Sequence, residues 1–433
     1  MPAASPLARS RGAVMLAAEA VDHLTARVHE FHRAISDIPF GTLDRVPAVN
    51  AGSRPTRLVH DGITDGVYGV IRAAAKGVFD VADQLLRRAE STRRLALPAP
   101  ATPALTDGRP HARVQDDLVA AVSGLVGDHM AARRNPLAIR AGVYYNGHRI
   151  ALTPDALAAA FPQATPRIAV FVHGLCSNEN VWSMFERADD PQTRPYGQRL
   201  AQDLGFTPVY LRYNSGLHVS INGRSIARML AALHAHWPVP VGEIVLIGHS
   251  MGGLVARSAA EKARRRDAAW IGALSQVVCL GSPHLGAPLE KAVHVGTNLM
   301  HRLPLTRPVA RLLDLRSLGI KGLRWGYTVD EEWRGRTADA WWTDDRLQFD
   351  PLPRVRYRFL GACLHEDHRH PLSHWLGDGL VRLPSSLAAD VAGADIALRL
   401  KLGHLRLLNH PDVYAQLHRW LAEGPLATTG AAA

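Results

Sequence analysis

The sequence predicts an α/β domain, in which helices cover both faces of a mostly parallel sheet, behind an N-terminal helical extension. Two patterns predict this fold class. From residue 168 onward, short continuous apolar runs alternate with helical stretches, which is typical of parallel strands buried on both faces. Before residue 141, apolar residues instead recur three and four positions apart, as on amphipathic helices. At 433 residues, the chain is also too long for one small domain.

The extension is predicted to contain two antiparallel helices, over about residues 14–36 and 64–90. A turn-rich connection separates them, and a proline-rich linker follows at residues 97–110. A third amphipathic helix is expected after the linker. The apolar stripes of the three helices are formed by Val21, Leu24, Val28, Phe31 and Ile35; by Val67, Val70, Ala74, Val78, Val81 and Leu85; and by Val114, Leu118, Val122 and Leu125.

The α/β part begins at residue 141, where Asn146-Gly147 marks a two-residue hairpin. The sequence thus divides into a helical extension with its linker (1–110), a connecting helix (111–140), the α/β domain (141–424) and a disordered tail (425–433). An insertion at 286–350 interrupts the α/β domain. The buried strands are predicted at Ile168–Val172, Pro208–Arg212, Ile244–Gly248, Val277–Gly281, Val355–Leu360 and Ile396–Leu400.

The charge balance does not point to a nucleic-acid partner. Lys and Arg number 50 against 39 Asp and Glu, a formal charge of +11, but the basic residues are scattered and form no recognition motif. The densest run, Arg264–Arg266, lies on a predicted helix between Glu261 and Asp267. Residues 1–110 carry 14 basic and 11 acidic residues, so contact with a membrane surface has no support in the sequence either.

The sequence favours a cytoplasmic protein. Its three cysteines have spacings that suit neither a disulfide framework nor a metal site. The apolar run near the start is interrupted by Glu19 and Asp22, unlike a secretory signal. No stretch approaches the roughly 18 to 20 apolar residues of a membrane-spanning helix.

The strongest chemical signal is the segment Gly248-His249-Ser250-Met251-Gly252, which follows a predicted strand and opens a predicted helix. A tight strand-to-helix turn of this kind presents Ser250 as a nucleophile, and the two glycines leave out side chains that would collide in the turn. The alternative is that Ser250 is only a turn residue. The correct predicted flanks on both sides favour the nucleophile.

A serine nucleophile requires a histidine base and an acid, in the chain order Ser, Asp, His. Asp378 follows the strand that ends at Leu360, and His404 lies in the last strand-to-helix loop. Asp378 could instead be only an Asp-Gly turn residue. The rival acids are Asp350, Asp390 and Asp395, and the rival bases are His410 and His418.

An oxyanion hole needs one N–H from the residue after the nucleophile and another from a loop after an earlier strand. Met251 supplies the first and Leu175, just after His173-Gly174, supplies the second. Cys176 is a weak alternative nucleophile, because no elbow presents it.

These motifs resemble the α/β-hydrolase superfamily, in its lipase- and esterase-like branch. Five segments carry the resemblance in the right order, and the one with Gly281 resembles bacterial lipases and proteins similar to GPI inositol-deacylase. A sixth segment, YNSGLHVSINGR before the elbow, also resembles that bacterial group. The segments are HGLCSNENVW (173–182), YNSGLHVSINGR (213–224), GHSMGG (248–253), GSPHLGAPLEK (281–291), GDGLVRLPSS (377–386) and GHLRLLNHPDVYAQLHRWL (403–421).

The resemblance covers about residues 165–422 and implies a serine esterase or lipase. In it, Ser250 attacks an ester carbonyl, His404 takes the proton and Asp378 holds the imidazole. Amidase, thioesterase or intracellular polyester depolymerase activity fits the same triad, and a partner-binding protein on a retired scaffold is the non-enzymatic alternative. The calcium and the disulfide common in secreted bacterial lipases cannot be placed, and the first 140 residues match nothing assignable.

Two weaker features remain. The insertion at 286–350 is interpreted as a helical lid over the site, with ordinary structural elaboration as the alternative. The cluster of His365, Glu366, Asp367, His368 and His370 has residue types that suit zinc, but its crowding in one loop favours a solvated loop. We therefore expect no metal and no cofactor, and a small-molecule or lipid ester as substrate. The oligomeric state stays open.

Overall fold

The computed structural model describes residues 6–43, scattered positions from 57 to 87, and residues 114–426 with short gaps. The gaps are residues 146–147, 303–305, 336–343, 348–349, 371–372, 375–376, 389–390 and 392. The predicted linker, the hairpin turn and most of the predicted tail lie outside the described residues. So do Leu303, Leu305, Trp341, Trp342 and Asp390.

One eight-stranded sheet organises the described part of the chain, in the order β2-β1-β4-β3-β5-β6-β7-β8. Strands β3 to β8 pair in parallel, whereas β1 pairs antiparallel with both β2 and β4. The predicted strands and hairpin are confirmed. The strands are β1 Gly142–Tyr145, β2 His148–Ile150, β3 Arg167–Val172, β4 Thr207–Arg212, β5 Glu243–His249, β6 Leu274–Leu280, β7 Arg356–Cys363 and β8 Asp395–Leu400.

Helices lie before the sheet, between its strands and in the insertion. Their bounds are α1 Pro6–Leu43, α2 Val114–Ala132, α3 Pro154–Ala160, α4 Tyr196–Leu204, α5 Val219–His236, α6 Met251–Arg264, α7 Pro288–Arg302, α8 Arg307–Leu313, α9 Leu318–Gly322, α10 Leu383–Leu387 and α11 Pro411–Ala422. Among the helices that the structure describes, none combines the length and apolar composition of a membrane span.

The apolar runs of the central strands fill two cores, one on each face of the sheet. In β3, Ile168, Val170 and Val172 join one core, whereas Ala169 and Phe171 join the other. Successive side chains of a strand point to opposite faces, so a strand covered on both sides must be apolar at every position. Each such Val or Ile stabilises the fold by about 1.5–3 kcal/mol.

The N-terminal helices form the predicted antiparallel pair. Helix α1 spans more residues than expected, and every described residue from 57 to 87 is helical. Ion pairs join the two helices. As the residue number increases along the first helix, the number of its partner on the second helix decreases, as in antiparallel packing. These pairs are Arg11–Asp83, Asp22–Arg72, Arg33–Asp65 and Asp37–Arg57.

Where the structure describes it, the insertion at 286–350 contains the helices α7, α8 and α9, with turns and irregular segments around them. It also contacts the N-terminal extension, because Arg311 on α8 pairs with Glu30 on α1. That the insertion moves as a lid stays a prediction.

The order of the strands places a crevice at one edge of the sheet. After β3 the chain adds β4 on one side, and β5 then pairs on the other side of β3. Ligand sites of open α/β sheets lie at the carboxyl ends of the strands where this order reverses. The loops after β3 and β5, which start at His173 and Ser250, meet there.

Candidate active site

Ser250 occupies a strained turn between β5 and α6, as the sequence predicts. Its φ of 55° and ψ of −128° are unfavourable for a residue with a side chain. A Cβ on Gly248 would lie 2.4 Å from the Gly253 nitrogen, and one on Gly252 would lie 2.1 Å from the Val172 oxygen. Only glycine fits at both positions, so the backbone can turn this sharply and leave Ser250 half-buried at the helix start.

His404 and Asp378 form a buried hydrogen-bonded pair. His404 Nδ1 lies 2.7 Å from Asp378 Oδ2. The other carboxylate oxygen accepts the N–H groups of Leu380, at 3.0 Å, and Val381, at 2.8 Å. Asp378 is thus both a turn residue and the partner of His404, and the two amides fix its orientation. With Nδ1 engaged, the free nitrogen of His404 is Nε2.

The Leu280-Gly281 segment connects Ser250 to this pair. The Ser250 N–H donates to the Leu280 oxygen at 2.8 Å. A Cβ on Gly281, whose φ is +61°, would lie 3.2 Å from Asp378 Oδ2 and 3.3 Å from His404 Nδ1. Within the described part of the chain, Ser250 Oγ has no hydrogen bond to His404. In uncomplexed enzymes such bonds are often long and tighten only when substrate binds.

His249 also holds His404 in place. Its Nε2 lies 3.1 Å from the His404 carbonyl oxygen, and the two rings are 4.8 Å apart. Burial lowers the pKa of His249 to about 3, so the ring is neutral and Nε2 carries the donated proton. Sequence reasoning missed this role, although the position beside the nucleophile was a signal for it.

The two predicted oxyanion donors are the N–H groups of the residues that follow Gly174 and Ser250. Among the described residues, neither the Leu175 N–H nor the Met251 N–H has an acceptor. A Cβ on Gly174 would lie 3.1 Å from the Cβ of Ser250, so the backbone after β3 reaches the serine directly. Free N–H groups next to a serine at a helix N-terminus suit a developing negative charge.

His173 braces the start of the loop that carries Leu175. Its Nδ1 lies 2.8 Å from the Gly174 oxygen, and its Nε2 accepts the Tyr213 N–H at 3.2 Å. The Tyr213 hydroxyl donates to the His173 oxygen at 2.6 Å, and the two rings stack. Burial lowers the pKa of His173 to about 3, which keeps it neutral. No pattern in the sequence indicates this bracing.

Comparison with known families agrees with this geometry. Residues 167–338 match the model of the PGAP1-like alpha/beta domain family. Together with the order of the sheet, this match indicates the fold. The chain has an α/β-hydrolase fold. The matched part includes Ser250, Leu175 and Met251, whereas Asp378 and His404 lie beyond it.

Solved structures resemble this chain more loosely. A lipase from Staphylococcus hyicus is 13% identical, with 60% of this chain and 95% of that chain covered and a TM-score of 0.34. Phospholipase PlaB from Legionella pneumophila is 14% identical, with 60% of this chain and 63% of that chain covered and a TM-score of 0.36. An esterase from Pyrococcus furiosus is 12% identical, with 60% of this chain and 82% of that chain covered and a TM-score of 0.33. All three TM-scores lie below 0.5, so these structures establish nothing about this chain's activity. No curated protein sequence matches the chain.

The described rivals of the candidate site residues lie elsewhere. Asp350 is exposed, and Asp395 is exposed and pairs with Arg358 at 3.4 Å. His410 caps α11 by accepting the Asp412 N–H at 3.2 Å, and His418 lies on α11. The nearest neighbours of the Gly281 Cβ position include Asp378 and His404 and none of these four.

The histidine-rich loop near residue 367 shows no metal geometry. Among the residues that the structure describes, no group of three or more His, Cys, Asp or Glu could hold a metal ion. His365 and His370 stack on each other with ring centres 4.7 Å apart, and Glu366 pairs with Lys401. The loop is solvent-exposed.

Proposed function

We propose that this protein is a serine hydrolase that cleaves carboxylic esters through an acyl-enzyme on Ser250, His404 and Asp378. The observation that carries the proposal is the buried 2.7 Å pair of His404 and Asp378, packed against the backbone segment that binds the strained Ser250 turn. The chain order Ser, Asp, His also fits this superfamily.

The first half-reaction forms the acyl-enzyme. His404 Nε2 takes the proton of Ser250 as Oγ attacks the ester carbonyl carbon, and Asp378 stabilises the imidazolium that results. The carbonyl oxygen becomes an oxyanion, and the free N–H groups of Leu175 and Met251 receive it. In such sites the loss of one donor costs about 3–4 kcal/mol of transition-state stabilisation. His404 then protonates the leaving alcohol as the ester C–O bond breaks.

The second half-reaction hydrolyses the acyl-enzyme and regenerates the free enzyme. His404 removes a proton from water, whose oxygen attacks the acyl carbon, and the same two N–H groups receive the second oxyanion. The bond to Ser250 breaks, Oγ regains its proton from His404, and the carboxylic acid leaves. Each group ends as it began, so no cofactor is consumed.

Cys176 is a poor competitor for the nucleophilic role. Burial raises the pKa of its thiol, which disfavours the reactive thiolate. It also lies in the loop after β3 rather than on the elbow. All three cysteines are free thiols, and Cys279 and Cys363 are fully buried.

Esters are the proposed substrates, with amides, thioesters and polyesters as variants of the same chemistry. Acyl chain length is tested with p-nitrophenyl esters from acetate to palmitate, on the wild type and on Ser250→Ala. We expect turnover by the wild type, a preference that reports the depth of the acyl site, and nearly complete loss in the variant. Equal turnover by both proteins would overturn the proposal, and no turnover by folded wild type on any ester would favour a retired scaffold.

A further inference from the structure

Helix α2 packs directly on the loop that carries the Leu175 donor, which we define as the oxyanion loop, residues 173–180. At Gly124, the two backbones are too close for any side chain. A Cβ there would lie 2.3 Å from Cys176 Sγ and 2.7 Å from the Cys176 nitrogen. Helix α2 therefore forms one wall of the loop, although it precedes the matched region 167–338.

Asp117 on α2 ties down the far end of the oxyanion loop. Its Oδ1 accepts the side-chain N–H groups of Asn178, at 3.0 Å, and Asn180, at 2.8 Å. Asn178 in turn accepts the Asn180 N–H at 2.8 Å. One carboxylate oxygen thus fixes two residues of the loop, and hydrogen bonds to a charged acceptor are stronger than neutral ones.

A second link joins α2 to the same loop inside the protein. Glu179 is fully buried and pairs with Arg212 at the end of β4. Arg212 also lies 3.4 Å from the buried Asp116 carboxylate on α2. The link leaves neither carboxylate unpaired, as buried charges require.

Helix α2 is interrupted at Val126, and backbone carbonyls near the interruption bind Ser317 and Asn214 in neighbouring loops. Val126 has non-helical backbone angles, φ −137° and ψ 21°, which frees nearby carbonyls from the helix. The Gly124 oxygen accepts the Ser317 hydroxyl at 2.6 Å, and the Leu125 oxygen accepts the Ser317 N–H at 2.8 Å. The Gly127 oxygen accepts the Asn214 side chain at 2.8 Å.

The oxyanion loop needs this support because it is strained next to the donor. Cys176 directly follows Leu175 and has a φ of +57°, which is unfavourable for a residue with a side chain. Its N–H donates to Ser215 Oγ at 3.1 Å. A strained residue persists only where its surroundings determine its conformation.

We propose that Asp117 and the segment 123–127 of α2 are positioning elements that hold the oxyanion loop so that the Leu175 N–H faces the reacting carbonyl. The inference rests on the proposed function, because it gives Leu175 its role. In the described part of the chain, the Asp117 carboxylate bonds to Asn178 and Asn180, and we assign its effect to these two contacts. The segment between the extension and the α/β domain is then part of the catalytic unit.

The test compares Asp117→Ala, Asn180→Ala and their double variant in the full chain. We expect Asp117→Ala to lower kcat about tenfold with KM within about twofold, since small misplacements of catalytic groups cost about that much or more. Because the contact between Asn180 and Asp117 is already lost in Asp117→Ala, the double variant should lose no more activity than Asp117→Ala alone. Asp128→Ala is the control, since Asp128 lies on the same helix but accepts the Leu318 N–H.

A readout without turnover separates positioning from general loosening. Cys176 is the half-buried thiol, so a thiol reagent added to the native protein reports its exposure. Asp117→Ala should react faster than the wild type and than Asp128→Ala, at unchanged melting temperature. It should also be labelled more slowly at Ser250 by a fluorophosphonate.

The outcomes distinguish this inference from the proposed function. Unchanged kcat, thiol reactivity and labelling rate in Asp117→Ala, with a wild type that is labelled at Ser250, would overturn the inference alone. The inference would also be overturned if Asp117→Ala had a lower melting temperature than the wild type but the same turnover rate per active site. The number of active sites is titrated with the fluorophosphonate. A wild type that is not labelled at all would overturn the proposed function instead.

Discussion

His404 Nδ1 lies 2.7 Å from Asp378 Oδ2, and both side chains are buried. The carboxylate also accepts the Leu380 and Val381 N–H groups, so its position does not depend on His404. A fixed acceptor at Nδ1 selects the tautomer whose Nε2 is free to take a proton. The first prediction follows from this relationship.

Asp378→Asn should fold normally and lose most activity. An asparagine keeps the shape of the aspartate side chain and an oxygen that accepts the Leu380 and Val381 N–H groups. Its NH2 group, however, donates to His404 Nδ1 and so favours the tautomer that carries the proton on Nε2, which then cannot take the proton of Ser250. We expect kcat on a p-nitrophenyl ester to fall by about 10³- to 10⁴-fold, as in other triads. Circular dichroism checks folding, and Asp395→Asn is the control, because Asp395 pairs with Arg358 at the other end of β8. Near-normal kcat in Asp378→Asn would remove this residue from the mechanism.

Gly281→Ala should damage both stability and activity. Its φ of +61° disfavours a side chain, and its Cβ would lie 2.6 Å from Leu407 Cδ1 and within 3.3 Å of the Asp378–His404 pair. Gly335→Ala is the matched control, because Gly335 has a φ of +81° with nothing near its Cβ position. The left-handed conformation alone costs about 1–2 kcal/mol, which both variants share.

Urea unfolding and ester turnover test this pair. Gly281→Ala should lose more stability than Gly335→Ala and also most of its kcat, whereas Gly335→Ala keeps wild-type kcat. Equal losses of stability and full activity in both variants would show that Gly281 does not pack on the pair as described.

Stability should fall as the pH drops from about 6.5 toward 3. Burial lowers the pKa of His173, His218 and His249 to about 3 in the folded protein, whereas an unfolded histidine titrates near 6.5. Between these values the unfolded state binds more protons, so acid favours unfolding, by about 1.4 kcal/mol per pH unit for each histidine. Above pH 6.5 the effect is absent.

The measurement is urea unfolding at several pH values between 4.5 and 7.5, on the wild type and on His249→Gln. The variant lacks one of the three groups, so its unfolding free energy should change less steeply with pH. Parallel pH dependences in the two proteins would contradict the assignment of His249 as a buried neutral ring.

The sequence predicts most of the sheet because strands buried on both faces must be apolar throughout, as Ile168–Val172 is. The acid and base were harder to choose, since Asp378, Asp395, His404 and His410 all lie in or near loops at strand ends. Only the folded loops decide which two meet. The bond from His249 to the His404 carbonyl had one signal in the sequence, the position of His249 beside the nucleophile, and sequence reasoning did not use it.

The role of α2 could not be predicted for a related reason. Its contacts use a glycine without a side chain, Gly124, and backbone carbonyls freed by the interruption at Val126. Periodicity identifies an amphipathic helix here but says nothing of which loop its backbone touches. Asp116 and Asp117 were the side chains to notice, and acidic residues in the first turn of a helix have an ordinary explanation.

The most direct test of the central claim is labelling by a fluorophosphonate, with the modified residue located by mass spectrometry. The protein should be labelled at Ser250, while Ser250→Ala should remain unlabelled with an unchanged melting temperature. Ser225→Ala is the matched control, because Ser225 Oγ bonds only to the Ile221 carbonyl within α5. Stoichiometric label on Ser250 in the wild type and in the control is the predicted result. Label on another residue, or equal labelling of Ser250→Ala, would contradict the account.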